Sequence, residues 1–163
     1  MSKCVWAIKT KLEETYHDTV WGIPVHDDLK LFELLILEGQ QAGLSWHTIL
    51  SKMDGLKKAY HHFDPHVLST LTDDDIQAYL KDDRVIKHKL KISAVIHNAK
   101  MYFKLKEKHG SLNDFLWKFV NYQTIQNHWE KHEDVPAKTE LSDLISNELK
   151  KIGFKFVGST TIY

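Results

Sequence analysis

A chain of 163 residues, 42% hydrophobic and 27% charged, is sized for one domain with a sizeable core. Its formal net charge of +0 gives no global basic field to announce nucleic acid, and the lone Arg84 nearly excludes bidentate reading of guanine by arginine. One cysteine, Cys4, excludes an internal disulfide, the opening MSKCVWAIKTKLEE lacks the apolar core of a signal peptide, and no apolar run approaches the roughly 20 residues that span a bilayer; a cytoplasmic protein with no membrane partner is expected.

Residues 1–26 read as an irregular segment rich in special side chains, among them Cys4, Trp6, Tyr16, His17, Trp21, Gly22 and Pro24. The plain reading is an N-terminal arm wrapped on the core, with its aromatics as anchors. Asp27 and Asp28 open a predicted helix over 28–42, one as cap and one as first-turn negative charge. Leu31, Leu34, Leu35 and Glu38 recur at helical spacing, so Glu38 lies along the apolar stripe. A glutamate there is either paired within the core, neutral, or waiting for a ligand to supply its partner. Gly43 supplies a left-handed stop, and Ser45 caps a short helix starting at Trp46.

Asp54 precedes another helical run ending near Phe63, and Asp64-Pro65 reads as a cap with proline at the first helical position. Thr72 and Asp75 form a capping box before the helix IQAYLKD. The longest run, about 87–108, places Leu90, Val95, Ala99, Tyr102 and Leu105 at helical spacings and stops at Gly110. Lys87, His88, Lys89 and Lys91 make a local basic cluster, as do Lys150, Lys151 and Lys155. Lysines so placed suit phosphate. Ser111 with Asp114 caps a helix holding Phe115, Trp117 and Phe119. Residues 121–139, with Pro136, read as a loop, and 143–151 as a final amphipathic helix. Strand signals and domain boundaries are missing, so residues 1–163 are expected to be one all-α domain. At the end, a helix over 144–152, a tight turn from Gly153 to Gly158 and a cap at Ser159 suggest a helix–turn–helix pair. It reads either as an ordinary αα-turn or as an anion cradle. Glycine-bounded turns let backbone N–H groups approach a phosphate, and a following helix N-terminus favours the anion.

LEGQQAGLSW, with CVW before it and YHDTVWGIP between them, resembles the bacterial 3-methyladenine DNA glycosylase I family. FDP at Phe63 to Pro65, the Asn98-Ala99 pair, FVNYQ at Phe119 to Gln123 and the closing KKIGFKFVGSTTIY extend the resemblance over nearly the whole chain. It implies an all-α fold of the helix-hairpin-helix DNA glycosylase type and hydrolysis of the N-glycosidic bond of 3-methyladenine in base excision repair. The implied base-binding residues are Trp6, Tyr16, Glu38 and Trp46, with Glu38 also catalytic. The implied DNA-binding residues are Gly153, Lys155, Gly158 and Ser159. Partners would be alkylated double-stranded DNA and free 3-methyladenine as product, and the protein a monomer.

Two departures qualify the resemblance. The family continues through the second helix and a short tail beyond the position of Tyr163, so the last helix reads as truncated. That tail carries half of a structural zinc site, whose other half would be Cys4 and His17. Zinc is therefore implied for a complete protein, with only two ligands here, short of the closed set of four; Cys4 as a plain buried thiol is the other reading. Glu13 stands where the family commonly has Tyr helping to enclose the base.

The chemistry the resemblance implies suits these side chains. The lesion must leave the stack to expose its sugar bond. Methylation at N3 makes the base cationic, which favours stacking on Trp6, Tyr16 and Trp46 and a carboxylate at Glu38. The methylated base is already a good leaving group, so little general-acid help is needed. No lysine is specially placed for a Schiff base, which leaves water as nucleophile. The alternative is a catalytically impaired, truncated remnant that binds the methylated base but grips DNA poorly.

Overall fold

The structure, a computed structural model, describes residues 3–163. Among these residues the chain is all-helical, and no helix is long and apolar enough to cross a membrane. The helices are α1 (Lys11–Thr19), α2 (Asp28–Gln41), α3 (Trp46–Ala59), α4 (Pro65–Leu68), α5 (Asp73–Tyr79), α6 (Lys89–His109), α7 (Leu112–Trp117), α8 (Glu140–Ile152) and α9 (Ser159–Ile162).

Most helix starts follow from local side chains. Asp27, Ser45, Asp64 and Ser111 each accept a hydrogen bond from a first-turn N–H, of Lys30, Thr48, His66 and Asp114 respectively. Thr72 and Asp75 close the expected capping box on α5. Gly110 ends α6 at φ 84°, where glycine carries no Cβ penalty.

The axis of the molecule is α6. It packs against α2, α4, α5, α7 and α8. Ile92, Val95, Ile96, Ala99, Tyr102 and Leu105 carry its buried face, and the Phe32 ring of α2 meets Tyr102 at 5.2 Å. Asp28 fastens the start of α2 to this axis, accepting hydrogen bonds from the Tyr102 hydroxyl and, at 2.9 Å, from the Asn113 N–H of α7. The last turn of α2 therefore has a fixed frame on which to present side chains.

Four sequence expectations are corrected. Residues 11–19 form α1 rather than an irregular arm, because Thr10 accepts from the Glu13 N–H and donates to its carboxylate, starting the helix. Asp54 opens no new helix; α3 is continuous to Ala59, held by buried Ile49, Leu50 and Leu56. Leu90 is 66% exposed, so the buried stripe of α6 begins beyond it. Phe119 lies past α7 in a 3₁₀ turn, Lys118–Val120. The loop over 121–139 holds apart from one 3₁₀ turn, His132–Asp134, and α8 begins at Glu140 behind a Thr139–Ser142 box. Between α3 and α4 the chain passes through His61, Phe63 and, between them, His62, all at positive φ (50°, 58° and 56°). Such left-handed turns of non-glycine residues are unfavourable. Burial of Phe63 to 1% exposure is the contact that offsets it.

Candidate base-binding site

Glu38 sits in the last turn of α2, on the stripe of Leu31, Leu34 and Leu35. All four line an open cavity of about 350 Å³, whose other walls include Leu116, Trp117, Ile125, Ile145 and Ile162. Burial among these groups raises the Glu38 carboxyl to about 7 from its ordinary 4.5. A carboxyl poised there exchanges between neutral and charged forms near neutral pH, and a cation entering beside it would favour the charged form.

The chain then reverses tightly. The Ala42 N–H donates to the Glu38 carbonyl, Gly43 turns at φ 76°, and the Leu44 N–H donates to the Gln41 carbonyl at 2.7 Å. The Gln41 side chain returns a hydrogen bond to the Leu44 carbonyl at 2.6 Å. Trp46 therefore begins α3 at a set offset from Glu38. The Tyr16 ring, from α1, stacks on Trp46 with centroids 4.8 Å apart and planes at 26°. Burial, and then the Glu38 charge, push the Tyr16 hydroxyl well above its ordinary range, which keeps it a hydrogen-bond donor.

Trp6 joins this group from outside. Its ring is 6.5 Å from Tyr16 and edge-on to His17 and Trp21 at 5.4 and 5.5 Å. The structure thus unites Trp6, Tyr16 and Trp46 in one aromatic chain, whereas only Glu38 of the four lines the 350 Å³ cavity. Tyr16 lines a second cavity of about 310 Å³ between α1, α2 and α3. Glu13 is buried one turn before Tyr16 and spends a carboxylate oxygen on the Thr10 hydroxyl at 2.9 Å.

His17 stacks on Trp21 at 5.3 Å, and its Nδ1 is 2.9 Å from Asp18. Cys4 is a half-buried free thiol. Among the described residues no three of His, Cys, Asp and Glu converge as metal ligands. The side chains present do not make a closed four-ligand zinc site, and no step below passes through a metal.

The 153–158 turn differs in detail from its expected form. Gly153 ends α8 at φ 120°, which favours glycine, and a Cβ there would stand 2.7 Å from the Met101 sulfur and force that side chain to move. Its N–H donates to Leu149. The Lys155 N–H donates to Asn98 Oδ1 at 2.8 Å, while Asn98 Nδ2 donates to the Lys155 carbonyl at 2.9 Å. His97 donates from Nε2 to the Gly153 carbonyl, and Ser146 from its hydroxyl to the Val157 carbonyl. The N–H groups of Gly153 and Lys155 are therefore engaged inside the protein, and the exposed part of Lys155 is its ammonium side chain. Gly158, at an ordinary φ of −63°, is the N-cap of α9. Ser159 is not the cap: it is the first helical residue, and its hydroxyl lies against Asp143, whose carboxyl it and Lys138 hold below the ordinary range.

The turn rests on the Glu38 helix. A Cβ on Gly39 would stand 3.1 Å from Phe156 Cβ, so the missing side chain at 39 admits the turn beside the carboxylate.

The basic cluster at 87–91 keeps Lys87, His88 and Lys89 at the surface and loses Lys91 to the interior. Lys87 pairs with Asp83, His88 caps α6, and Lys91 is buried at 5% exposure. Among the described residues Lys91 is the one buried lysine, yet its ammonium is held by the Gln40 and Ala42 carbonyls at 2.7 Å each and offers no free nucleophile. The sequence marked Lys91 only as part of a basic cluster and Asn98 only as part of the resemblance, and gave Gly39 no role of its own; their partners lie tens of residues away or have no side-chain pattern to betray them.

A family model described as methyladenine glycosylase matches residues 6–163. The chain belongs to that family. It is 42% identical to the DNA-3-methyladenine glycosylase of Haemophilus influenzae over 162 residues, covering 99% of this chain and 88% of the relative. The crystal structure of a 3-methyladenine DNA glycosylase I superposes with a TM-score of 0.95 at 39% identity, covering 99% and 89% of the two chains. The Staphylococcus aureus 3-methyladenine DNA glycosylase I, solved to show the structural basis of 3-methyladenine recognition, matches with a TM-score of 0.94 at 35% identity, covering 99% and 86%. As a member of this glycosylase family the chain is a hydrolase of N-glycosyl bonds, and the expected all-α glycosylase fold is borne out.

Proposed function

We propose that this chain removes 3-methyladenine from alkylated double-stranded DNA, as the first step of base excision repair. The observation that carries the reading is the Glu38 carboxyl, raised to about 7 by apolar burial and set one short turn before Trp46, on which Tyr16 stacks. The carboxylate lines the cavity that a flipped base would enter, and the stacked Tyr16 and Trp46 rings stand next to it, Tyr16 near enough to feel the Glu38 charge. The cationic lesion gains from both; neutral adenine gains much less. Glu38 holds the N3-methylated base by charge and hydrogen bonding as its bond to the sugar breaks, and the base departs neutral. Water adds to the sugar carbon and releases one proton to solvent, leaving a sugar hydroxyl; Lys91, the buried lysine, is committed to carbonyls. Lys155 and the neighbouring Lys150 offer ammonium groups beside the 153–158 turn for phosphate, a grip indifferent to sequence.

The test uses free base and alkylated duplex as separate ligands. Glu38→Ala should keep the fold and weaken 3-methyladenine binding by about 1–3 kcal/mol, the range for hydrogen bonds to charged groups. Unchanged titration calorimetry in the folded variant removes Glu38 from the site. Binding of the free base with no release from alkylated DNA would instead mark the chain as an impaired remnant.

A further inference from the structure

A lysine that is 95% hidden without a carboxylate partner needs explaining, because charged side chains are rarely buried unless paired. Lys91, in the first turn of α6, directs its ammonium at the carbonyls of Gln40 and Ala42, 2.7 Å from each. These carbonyls lie at the C-terminus of α2, where main-chain acceptors lack intrahelical donors and the helix dipole favours a cation. Gln40 completes the joint, donating from Nε2 to the Lys91 carbonyl at 3.2 Å. The joint is therefore reciprocal: each residue's side chain binds the other's main chain.

Its location gives it a consequence. Between Gln41, the end of α2, and Trp46, the start of α3, the chain has only residues 42–45 in which to reverse. Glu38 lies just before this reversal and Trp46 just after it. From within the reversal, Gln41 and Leu44 hold each other. From below, only Lys91 among the described hydrogen bonds ties it to the α6 axis.

We propose that Lys91 is a positioning residue of the base site, fixing the 42–45 reversal so that the Glu38 carboxylate and the Trp46 ring meet one base at once. The inference rests on the assignment of Glu38 and Trp46 to the base. It concerns no contact of Lys91 with substrate.

The experiment compares Lys91→Met and Lys91→Gln with the unaltered chain. Methionine keeps the length of the side chain and removes charge and donors; glutamine keeps one amide donor. Thermal unfolding establishes which variants fold. For folded Lys91→Met, the maximal rate of 3-methyladenine release should fall by about tenfold or more while KM for alkylated duplex stays within about twofold, since the duplex is gripped elsewhere. Free-base affinity should fall with the rate, and Lys91→Gln should lie between the two. A general loss of stability would not split kcat from KM in this way. Unchanged release and base affinity in a folded variant overturn the proposal, as does failure of both variants to fold, which would assign Lys91 to stability alone. Glu38→Gln and Trp46→Ala serve as controls. If they too leave base binding unchanged, the base-site assignment has failed; if they weaken it and the Lys91 variants do not, only the present inference has.

Discussion

Asn98 holds Lys155 by its main chain from both sides, accepting from its N–H at 2.8 Å and donating to its carbonyl at 2.9 Å. One side chain of the central helix thereby does for the 153–158 turn what a strand neighbour does in a sheet. Asn98→Ala should destabilise the chain by about 1–3 kcal/mol, because the part-buried N–H and carbonyl of Lys155 lose their partner. Asn98→Asp should keep the bond to the N–H and lose that to the carbonyl. Chemical denaturation measures both. If the turn carries the DNA grip, affinity for undamaged duplex should drop in Asn98→Ala more than affinity for free 3-methyladenine.

Glu38 makes stability depend on pH in a defined direction. Its folded value, about 7, lies above the ordinary 4.5. Between these values the folded state binds more protons than the unfolded, so stability falls as pH rises through this window. Glu38→Gln should remove that contribution. Melting curves should show the variant gaining on the unaltered chain from pH 4.5 to 7 and holding the gain above it. Parallel curves across that range would show that burial does not govern this carboxyl.

Exposed His62, at φ 56° and ψ 28°, sits in the middle of the left-handed turn. Glycine relieves the Cβ contact there but loses more chain entropy on folding. The first effect is the larger, so His62→Gly should stabilise by about 0.5–1 kcal/mol. Base release should be unaffected. A lower unfolding midpoint would mean that the histidine side chain contributes a contact of its own.

Gly39→Ala sets two effects against each other. Alanine favours the interior of α2 by about 1 kcal/mol. Its methyl would stand 3.1 Å from Phe156 Cβ, so the 153–158 turn must shift by a few tenths of an ångström. Stability should change by less than about 1 kcal/mol as these offset. Release of base from DNA should nevertheless slow, with free-base affinity retained. Equal rates for the two proteins would show that the turn and Glu38 act independently.

The parts of this fold that are local in cause were legible in the sequence. Asp27, Ser45, Asp64 and Ser111 mark helix starts because their side chains accept from N–H groups two or three residues on, and Thr72 because its own N–H and hydroxyl donate to the Asp75 carboxylate. The same logic applies at Thr10 and Glu13, where a dense run of aromatics obscured a capping pair and hid α1. Asp54 has the composition of a cap, yet packing of Ile49 and Leu56 on either side carries the helix through it. Glu38 on its apolar stripe was readable from period alone. Lys91 was not: within a lysine-rich run its pattern is that of a surface, and only α2, some 50 positions earlier, buries it. Ser159 misled for a related reason, since Gly158 holds the extended cap geometry and Asp143 takes the hydroxyl.

Phe156 resting on Gly39 sets a length. The turn packs against α2 at the residue after Glu38, so closely that a Cβ on Gly39 would stand 3.1 Å from Phe156 Cβ and 3.4 Å from its carbonyl oxygen. Their separation is therefore settled when the chain folds, before any DNA arrives. On the proposed reading, with the base beside Glu38 and phosphates at the turn, this contact would serve as a fixed gauge: a nucleotide whose base reaches the cavity while its neighbouring phosphates stay at the turn would be accepted, and one with a longer or shorter span would satisfy one end only. Discrimination by reach would then add to discrimination by charge, and it would depend on the absence of a single methyl group.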